Sequence, residues 1–359
     1  MIKEEKHRMA WIDICKGIAI ICVVIGHIGT SYHNSGLLKD SLIINYAIRF
    51  VYGFHMPLFF VISGYLGSLS HNDNRMHVIK KSLISYGIPY VVFSILSWVL
   101  KRISSAFVNN KVSLVDLIRI PIYPMNAMWF LYALMIATTV HVLLKPIINT
   151  KSKATILLII SFITRILALS ISRNDYIVSI GFDECILFSF GKYWFWYEIG
   201  AYCYKGIIDK TCTSKSKAGI SITLLIMIFY AFLIYIITIK NYRNDFADTI
   251  LGMIGIISIS RVSISISNNS ILEYIGRKTM PIYLLHPYIV SALRIILSKL
   301  RVPLLNGITP IIICSICGVV APLLIYSIVY RIKPIDFVFY PYKYLRIQIK
   351  DNVNRKDSL

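Results

Sequence analysis

The sequence predicts an all-α, polytopic integral membrane bundle of about ten transmembrane helices with both termini cytoplasmic. Three observations carry that prediction. Of the 359 residues, 57% are hydrophobic and only 15% are Asp, Glu, Lys or Arg, where soluble domains carry about 25% charged and about 45–50% apolar residues. With a mean hydropathy of +0.68, a soluble globule would expose apolar patches it could not keep in solution. Ten stretches approach the roughly 20 apolar residues a helix needs to cross a bilayer. Finally, the basic residues alternate in density from loop to loop. With the N-terminus inside, the cytoplasmic segments hold Lys3, Lys6 and Arg8, then Arg75, Lys80 and Lys81, Lys145 to Lys153, Lys205 to Lys217, Arg277 and Lys278, and a basic tail. That is more than twice the number in the outer loops, as the positive-inside rule requires.

The spans run roughly over 10–31, 50–69, 83–100, 126–144, 155–172, 186–204, 218–239, 247–264, 281–297 and 309–330. The first is broken by Asp13 and Lys16 and lacks a small-residue cleavage site, so it reads as a retained helix and not a signal peptide. In the second, Pro57 removes a backbone donor and is expected to kink or start the helix beside His55, while Ser63-Gly64 permits close helix packing. The fourth opens on Met128-Trp129-Phe130, by default an interfacial aromatic belt. The fifth and eighth are short. The sixth is polar, with Lys192 and Glu198 available to pair. The ninth joins His286 to Pro287, and the last holds Cys314 and Cys317, which read with the other cysteines as buried thiols and not as a metal or redox site. Residues 1–335 are expected to form a single membrane domain and 336–359 a basic cytoplasmic tail too short for a further catalytic domain.

A net charge of +21, from 38 basic and 17 acidic residues, could signify nucleic acid, an anionic substrate or membrane topology. The loop distribution absorbs most of it, so no nucleic-acid partner is expected. Five basic residues remain in or at the edge of spans: Lys16, Arg49, Arg165, Lys192 and Arg294. An unpaired charge there costs about 2.5–3.5 kcal/mol.

The first span carries the clearest pattern. At about 100° per residue, Lys16 and His27 are offset by about 20° and Asp13 and His27 by about 40° the other way, so all three share one stripe. An acid, a base and an imidazole on one face of a membrane helix must look into the bundle or an aqueous cleft. The plainer reading is a helix-start salt bridge, Asp13 to Lys16, with a structural histidine.

Four motifs now stand in order: Asp13-x-x-Lys16-Gly17-x₉-His27, Phe54-x-Met56-Pro57-Leu58-Phe59-Phe60-x-x-Ser63-Gly64-Tyr65, Met128-Trp129-Phe130-Leu131 and Ile282-Tyr283-Leu284-Leu285-His286. Together they resemble the membrane acyltransferase-3 family, in the flavour of its fucose 4-O-acetylase-like branch, over residues from about 8 to about 330. Lysine occupies position 16 where many members have arginine, which weakens bidentate anion binding at this position. The extracytoplasmic esterase-like domain of many relatives is not expected here.

The resemblance implies O-acyl transfer, most often of acetyl from cytoplasmic acetyl-CoA, to a sugar hydroxyl of a cell-surface polysaccharide or its lipid-linked precursor. It implies a multi-pass protein of a bacterial cytoplasmic membrane, consistent with an Ile-, Lys- and Asn-rich composition, with other polysaccharide-assembly proteins as further partners. His27 would serve as general base or as a transient acyl carrier, with Asp13 and Lys16 orienting groups or stabilising charge. Substrate-binding candidates are His55, Ser63, Trp129, Glu198 and His286. Lys80, Lys81, Arg277 and Lys278 are candidates for the CoA phosphates, and equally ordinary positive-inside residues. No metal is expected. A transporter or flippase of glycan intermediates is the alternative, although many such proteins show internal repeats and none is visible. A polysaccharide polymerase would usually bring a larger outer loop than 101–125.

Overall fold

The structure, a computed structural model, describes residues 9–34, 41–69, 74–103, 112–211, 217–242, 244–266, 268–299 and 309–345. The loop cations Lys3, Lys6, Arg8, Lys39, Lys111, Lys215, Arg243 and Arg301, and the tail from residue 346 onward, lie outside them. The helices are α1 (Ala10–Asn34), α2 (Leu42–Tyr52), α3 (His55–Ser68), α4 (Arg75–Ser82), α5 (Ile88–Ile103), α6 (Leu114–Arg119), α7 (Trp129–Leu144), α8 (Lys151–Ile171) and α9 (Asp175–Ser179). They continue as α10 (Ile186–Tyr202), α11 (Tyr204–Thr211), α12 (Lys217–Ile239), α13 (Asp245–Ser265), α14 (Ser270–Arg277), α15 (Thr279–Lys299), α16 (Thr309–Val329) and α17 (Lys333–Phe339). The described residues contain no strand.

Nine of the described segments are long and apolar enough to cross a membrane. They match nine of the ten expected spans. The tenth, α10, is a helix of 17 residues, about 25 Å long at ~1.5 Å per residue. It carries Lys192 and Glu198 yet packs along α7 and α8, which bury Trp194, Phe195, Trp196, Tyr197 and Glu198. Neighbouring protein, not an apolar sequence, gives this helix its surroundings. The second span, Leu42–Ser68, is α2 and α3 joined through a break at Gly53-Phe54. The third begins earlier than the hydropathy suggests, because a π-helical turn, Leu83–Gly87, fuses α4 to α5.

The chain forms two compact units, Met1–Ser63 with Cys203–Ile325 and Gly64–Tyr202 with Tyr326–Leu359. In the first, α1 packs against α2, α13, α14 and α15 and buries Ile14, Cys15, Ala19, Ile20, Val24 and Ile28. A helix that buries apolar residues around most of its circumference, with one polar stripe, belongs at the centre of its bundle. By contrast α12 exposes Leu224, Leu225, Ile228, Phe229 and Phe232, and α8 of the second unit exposes Ile156, Ile159, Ile160, Ile163 and Leu167. Such faces suit lipid, which is as apolar as they are, so close packing and not the hydrophobic effect must select helix partners. Glycine does so here. A Cβ at Gly276 of α14 would sit 1.7 Å from the Asp13 carbonyl oxygen, and one at Gly17 of α1 would sit 2.3 Å from that of Leu272. In the second unit, Gly64 at the end of α3 lies against α10, where a Cβ would fall 2.0 Å from the Tyr197 carbonyl oxygen. The close packing expected of Ser63-Gly64 is therefore supplied by Gly64.

The tail expected from residue 336 begins inside α17. Asp336 is fully buried and accepts hydrogen bonds from Tyr326 at 2.6 Å, Tyr344 at 2.7 Å and Lys343 at 2.8 Å.

Candidate active site

The polar stripe of α1 faces α14 at one end and α15 further along. At the first position Asp13, 2% exposed, lies 3.4 Å from Lys16 Nζ and 3.7 Å from Arg277 Nε. Arg277 also pairs with Glu273 one turn back on α14. The glycine contacts explain the placement: with Gly17 and Gly276 admitting backbone-to-backbone approach, the C-terminal turn of α14 can bring a guanidinium to a carboxylate on α1. Asp13 thus serves as a held counter-ion between two cations. The plainer helix-start salt bridge is present, with Arg277 as a partner from a distant part of the sequence. Lys278 follows at the end of α14.

About 16 Å beyond Lys16 along the axis, at ~1.5 Å per residue, the same helix carries His27. Its ring centroid is 5.2 Å from that of His286 on α15, with planes 51° apart, and it lies close enough to His55 on α3 to interact electrostatically. His55 is 1% exposed and His286 is 0% exposed, whereas His27 is half-buried. Each buried imidazole is fixed by a helix carbonyl, His55 by one on the preceding α2 and His286 by one on its own helix. His55 opens α3, where Pro57 cannot donate and the chain breaks, and its Nδ1 meets the Val51 carbonyl at 2.5 Å. The adjacent Phe50 carbonyl accepts from Tyr230 Oη at 2.8 Å, so the break leaves neither carbonyl bare. In α15, His286 Nδ1 donates to the Ile282 carbonyl at 2.9 Å, beside Pro287, which withholds an N–H from the helix. With Nδ1–H engaged, neutral His286 presents a lone pair at Nε2, and that atom is buried without a hydrogen-bond partner among the described residues. An orphaned buried acceptor next to a half-buried imidazole is a place for a donor, a hydroxyl or water.

Other candidates stand elsewhere. Ser63 is half-buried on α3, about 12 Å beyond His55 at ~1.5 Å per residue. In the second unit Glu198 differs from the expectation of substrate contact. It is fully buried, with one oxygen 2.8 Å from His141 Nδ1 and the other accepting from Trp194 Nε1 at 2.8 Å. It does not pair with Lys192, because six residues along a helix is about 240° around it. Its partners are Trp194 at the i−4 position and His141, a residue that sequence reasoning passed over in the apolar α7. Arg165 is likewise committed, donating to the Lys192 carbonyl at 2.5 Å and lying over the Trp196 ring at 5.1 Å. Met128 and Phe130 are buried and so form core, not an aromatic belt. Trp129, half-buried, stacks on Tyr193 with centroids 5.0 Å apart. Lys80 and Lys81 are exposed on α4, with Lys81 5.5 Å from the Tyr342 ring centre.

Arg49 and Arg294 are engaged within the protein. Arg49 binds Asn241 Oδ1 at 2.6 Å and the Tyr242 carbonyl at 3.1 Å, and Arg294 donates to Ser31 Oγ at 2.9 Å. The described cysteines carry no disulfide.

Comparison with known proteins places the chain in a family. Residues 9–327 match a family model described as an acyltransferase domain. A segment of 128 residues is 31% identical to the nodulation protein NolL of Mesorhizobium japonicum, covering 35% of this chain and 33% of that relative. The chain therefore spans about a third of the length of the curated relative it matches. No solved structure matches. With the match running over most of the chain and including all three histidines, the chain belongs to the membrane acyltransferase-3 family.

Proposed function

We propose that this membrane acyltransferase is an O-acetyltransferase, which moves acetyl from cytoplasmic acetyl-CoA to a sugar hydroxyl of a cell-surface polysaccharide or its lipid-linked precursor, in a bacterial cytoplasmic membrane. The observation that carries the reading is the pairing of half-buried His27 with His286, whose Nε2 is a buried, unpartnered acceptor. A sugar hydroxyl is a poor nucleophile near neutral pH, and a positioned imidazole base contributes about 10²–10⁴-fold. His27 takes the hydroxyl proton as the oxygen attacks the thioester carbonyl; the C–S bond breaks, and the CoA thiolate leaves and is protonated. His286 and His55 hold the neutral environment in which that imidazole works, and Lys16 and Asp13 set the charge at the other end of the stripe. Arg277 and Lys278 of the first unit, or Lys80 and Lys81 of the second, are the proposed partners of the CoA phosphates. The same imidazole could carry the acetyl group transiently, and trapping of labelled enzyme with hydroxylamine separates the two routes.

The test is the surface glycan. His27→Ala cells with normal protein levels are expected to lose the O-acetyl signals from its NMR spectrum, while intact O-acetylation would refute the assignment. Consumption of radiolabelled acetyl-CoA by purified protein with glycan acceptors distinguishes this enzyme from a glycan carrier.

A further inference from the structure

The second unit holds a cleft that the histidine site does not use. It has a volume of about 750 Å³ and is lined by Lys101, Asp116, Arg119, Asn126, Trp129 and Glu184 together with Tyr123 and Ser189, within the range of about 300–1,000 Å³ usual for small-molecule sites. The elements around it are the end of α5, helix α6 and the turn into α7, at the end of the unit where the loop charges place the outer face of the membrane. We propose that this cleft is a saccharide-binding subsite for a neutral oligosaccharide, the acceptor glycan of the acyl-transfer reading on which this inference rests.

Three features select that ligand. Trp129 is clamped by its stack on Tyr193 at 5.0 Å and 27°, so its indole is presented in a fixed orientation, and a rigid aromatic ring face suits the apolar C–H face of a pyranose. Asn126 holds φ at 51°, a left-handed conformation that Asn tolerates better than most residues, and its amide offers both a donor and an acceptor at the mouth. The charges balance, two cations against two carboxylates. Asp116 takes hydrogen bonds from Ser113 N at 2.7 Å and Ser113 Oγ at 3.0 Å; the backbone bond first, and the nearby Arg119 and Lys101 after it, hold its carboxyl below the usual range. A carboxylate that stays charged accepts from hydroxyls and repels phosphate, sulfate and uronate. Interleaved fixed donors and acceptors therefore match a field of hydroxyls, and not a diphosphate headgroup.

The experiment titrates detergent-solubilised full-length protein, without donor, with neutral pyranose trisaccharides and with matching uronic-acid trisaccharides, following tryptophan fluorescence. Saturable quenching by a neutral trisaccharide is expected, absent in Trp129→Phe. Its Kd should rise about tenfold in Asn126→Gly, which relieves rather than strains the positive φ, and in Glu184→Gln. No quenching by any neutral member, equal quenching in Trp129→Phe, or tighter binding of the uronic series overturns the proposal. Because donor is absent, the outcomes separate. Saccharide binding without acetyl transfer sinks the reaction and leaves the subsite. Transfer whose acceptor KM is unmoved in all three cleft variants sinks the subsite and leaves the reaction.

Discussion

His286 faces His27 at 5.2 Å with its Nδ1–H committed to the Ile282 carbonyl, so the nitrogen left for chemistry is Nε2. A backbone hydrogen bond inside one helix thereby sets the tautomer of a residue in the site. The partner His27 keeps some exposure.

The first prediction concerns that nitrogen. Asn places its amide near the Nδ1 position and Gln near Nε2, so the two substitutions separate the structural bond from the lone pair. His286→Gln is expected to keep measurable acetyl transfer. His286→Asn should lose on the order of 10²-fold, at the low end of acid–base contributions, with its thermal midpoint within a few degrees of wild type. Equal losses in the two variants would show that Nε2 is not the atom that matters.

Much of this site is legible in sequence, and the limit is physical. The stripe of Asp13, Lys16 and His27 follows from helical periodicity alone, because it is a property of one helix. The break before His55 follows from Pro57. The partners do not follow: Arg277 reaches Asp13 only because Gly17 and Gly276 let two backbones touch, and glycine in a membrane helix has many other uses. Glu198 announces by its burial cost that it needs a partner. Periodicity could have excluded Lys192 and selected Trp194 four residues back, but His141 comes from another helix whose facing surface no local pattern encodes. The interruption of the third span by a π turn at Leu83–Gly87 is equally silent in hydropathy.

The glycine contact makes the second prediction. In Gly276→Ala a methyl would meet the Asp13 carbonyl at 1.7 Å, a backbone atom that cannot rotate away, so α14 must withdraw from α1. Loss of stability of about 1–3 kcal/mol is expected, as for other overpacked sites, with loss of the Asp13–Arg277 approach. Asp13→Asn, which weakens the same contact electrostatically, should then add little in the double variant. Full additivity of the two unfolding free energies would disconnect the glycine from the ion pair.

Glu198 yields the third. Gln keeps an acceptor for Trp194 and loses the charge that holds His141. Because both carboxylate oxygens are in use at 2.8 Å, Glu198→Gln should lower stability by about 1–3 kcal/mol, the cost of an imperfectly satisfied buried group. Acceptor KM should change less than twofold, since both carboxylate oxygens are already engaged by His141 and Trp194. A large rise in KM at unchanged thermal stability would return Glu198 to the list of contacts.

The last prediction is a pH dependence in α17. Burial pushes the Asp336 carboxyl up, but the hydrogen bonds from Lys343, Tyr326 and Tyr344 outweigh it, and the net shift is downward. A depressed carboxyl contributes stability that is present above its unfolded value, about 3.9, and is lost as pH falls through the lower folded value. Lys343 is shifted upward, first by its hydrogen bond to Asp336; its contribution is full below an unfolded value of about 10.4 and is lost as pH rises through the folded one. Docking of α17 is therefore flat across neutral pH and weakens toward the acid extreme. Hydrogen exchange of the amides in 333–339 should accelerate at acid pH beyond the change in intrinsic rate. Asp336→Asn should weaken docking by about 1–3 kcal/mol at pH 7 and abolish the acid limb. An acid limb of unchanged size in that variant would place the titrating group elsewhere.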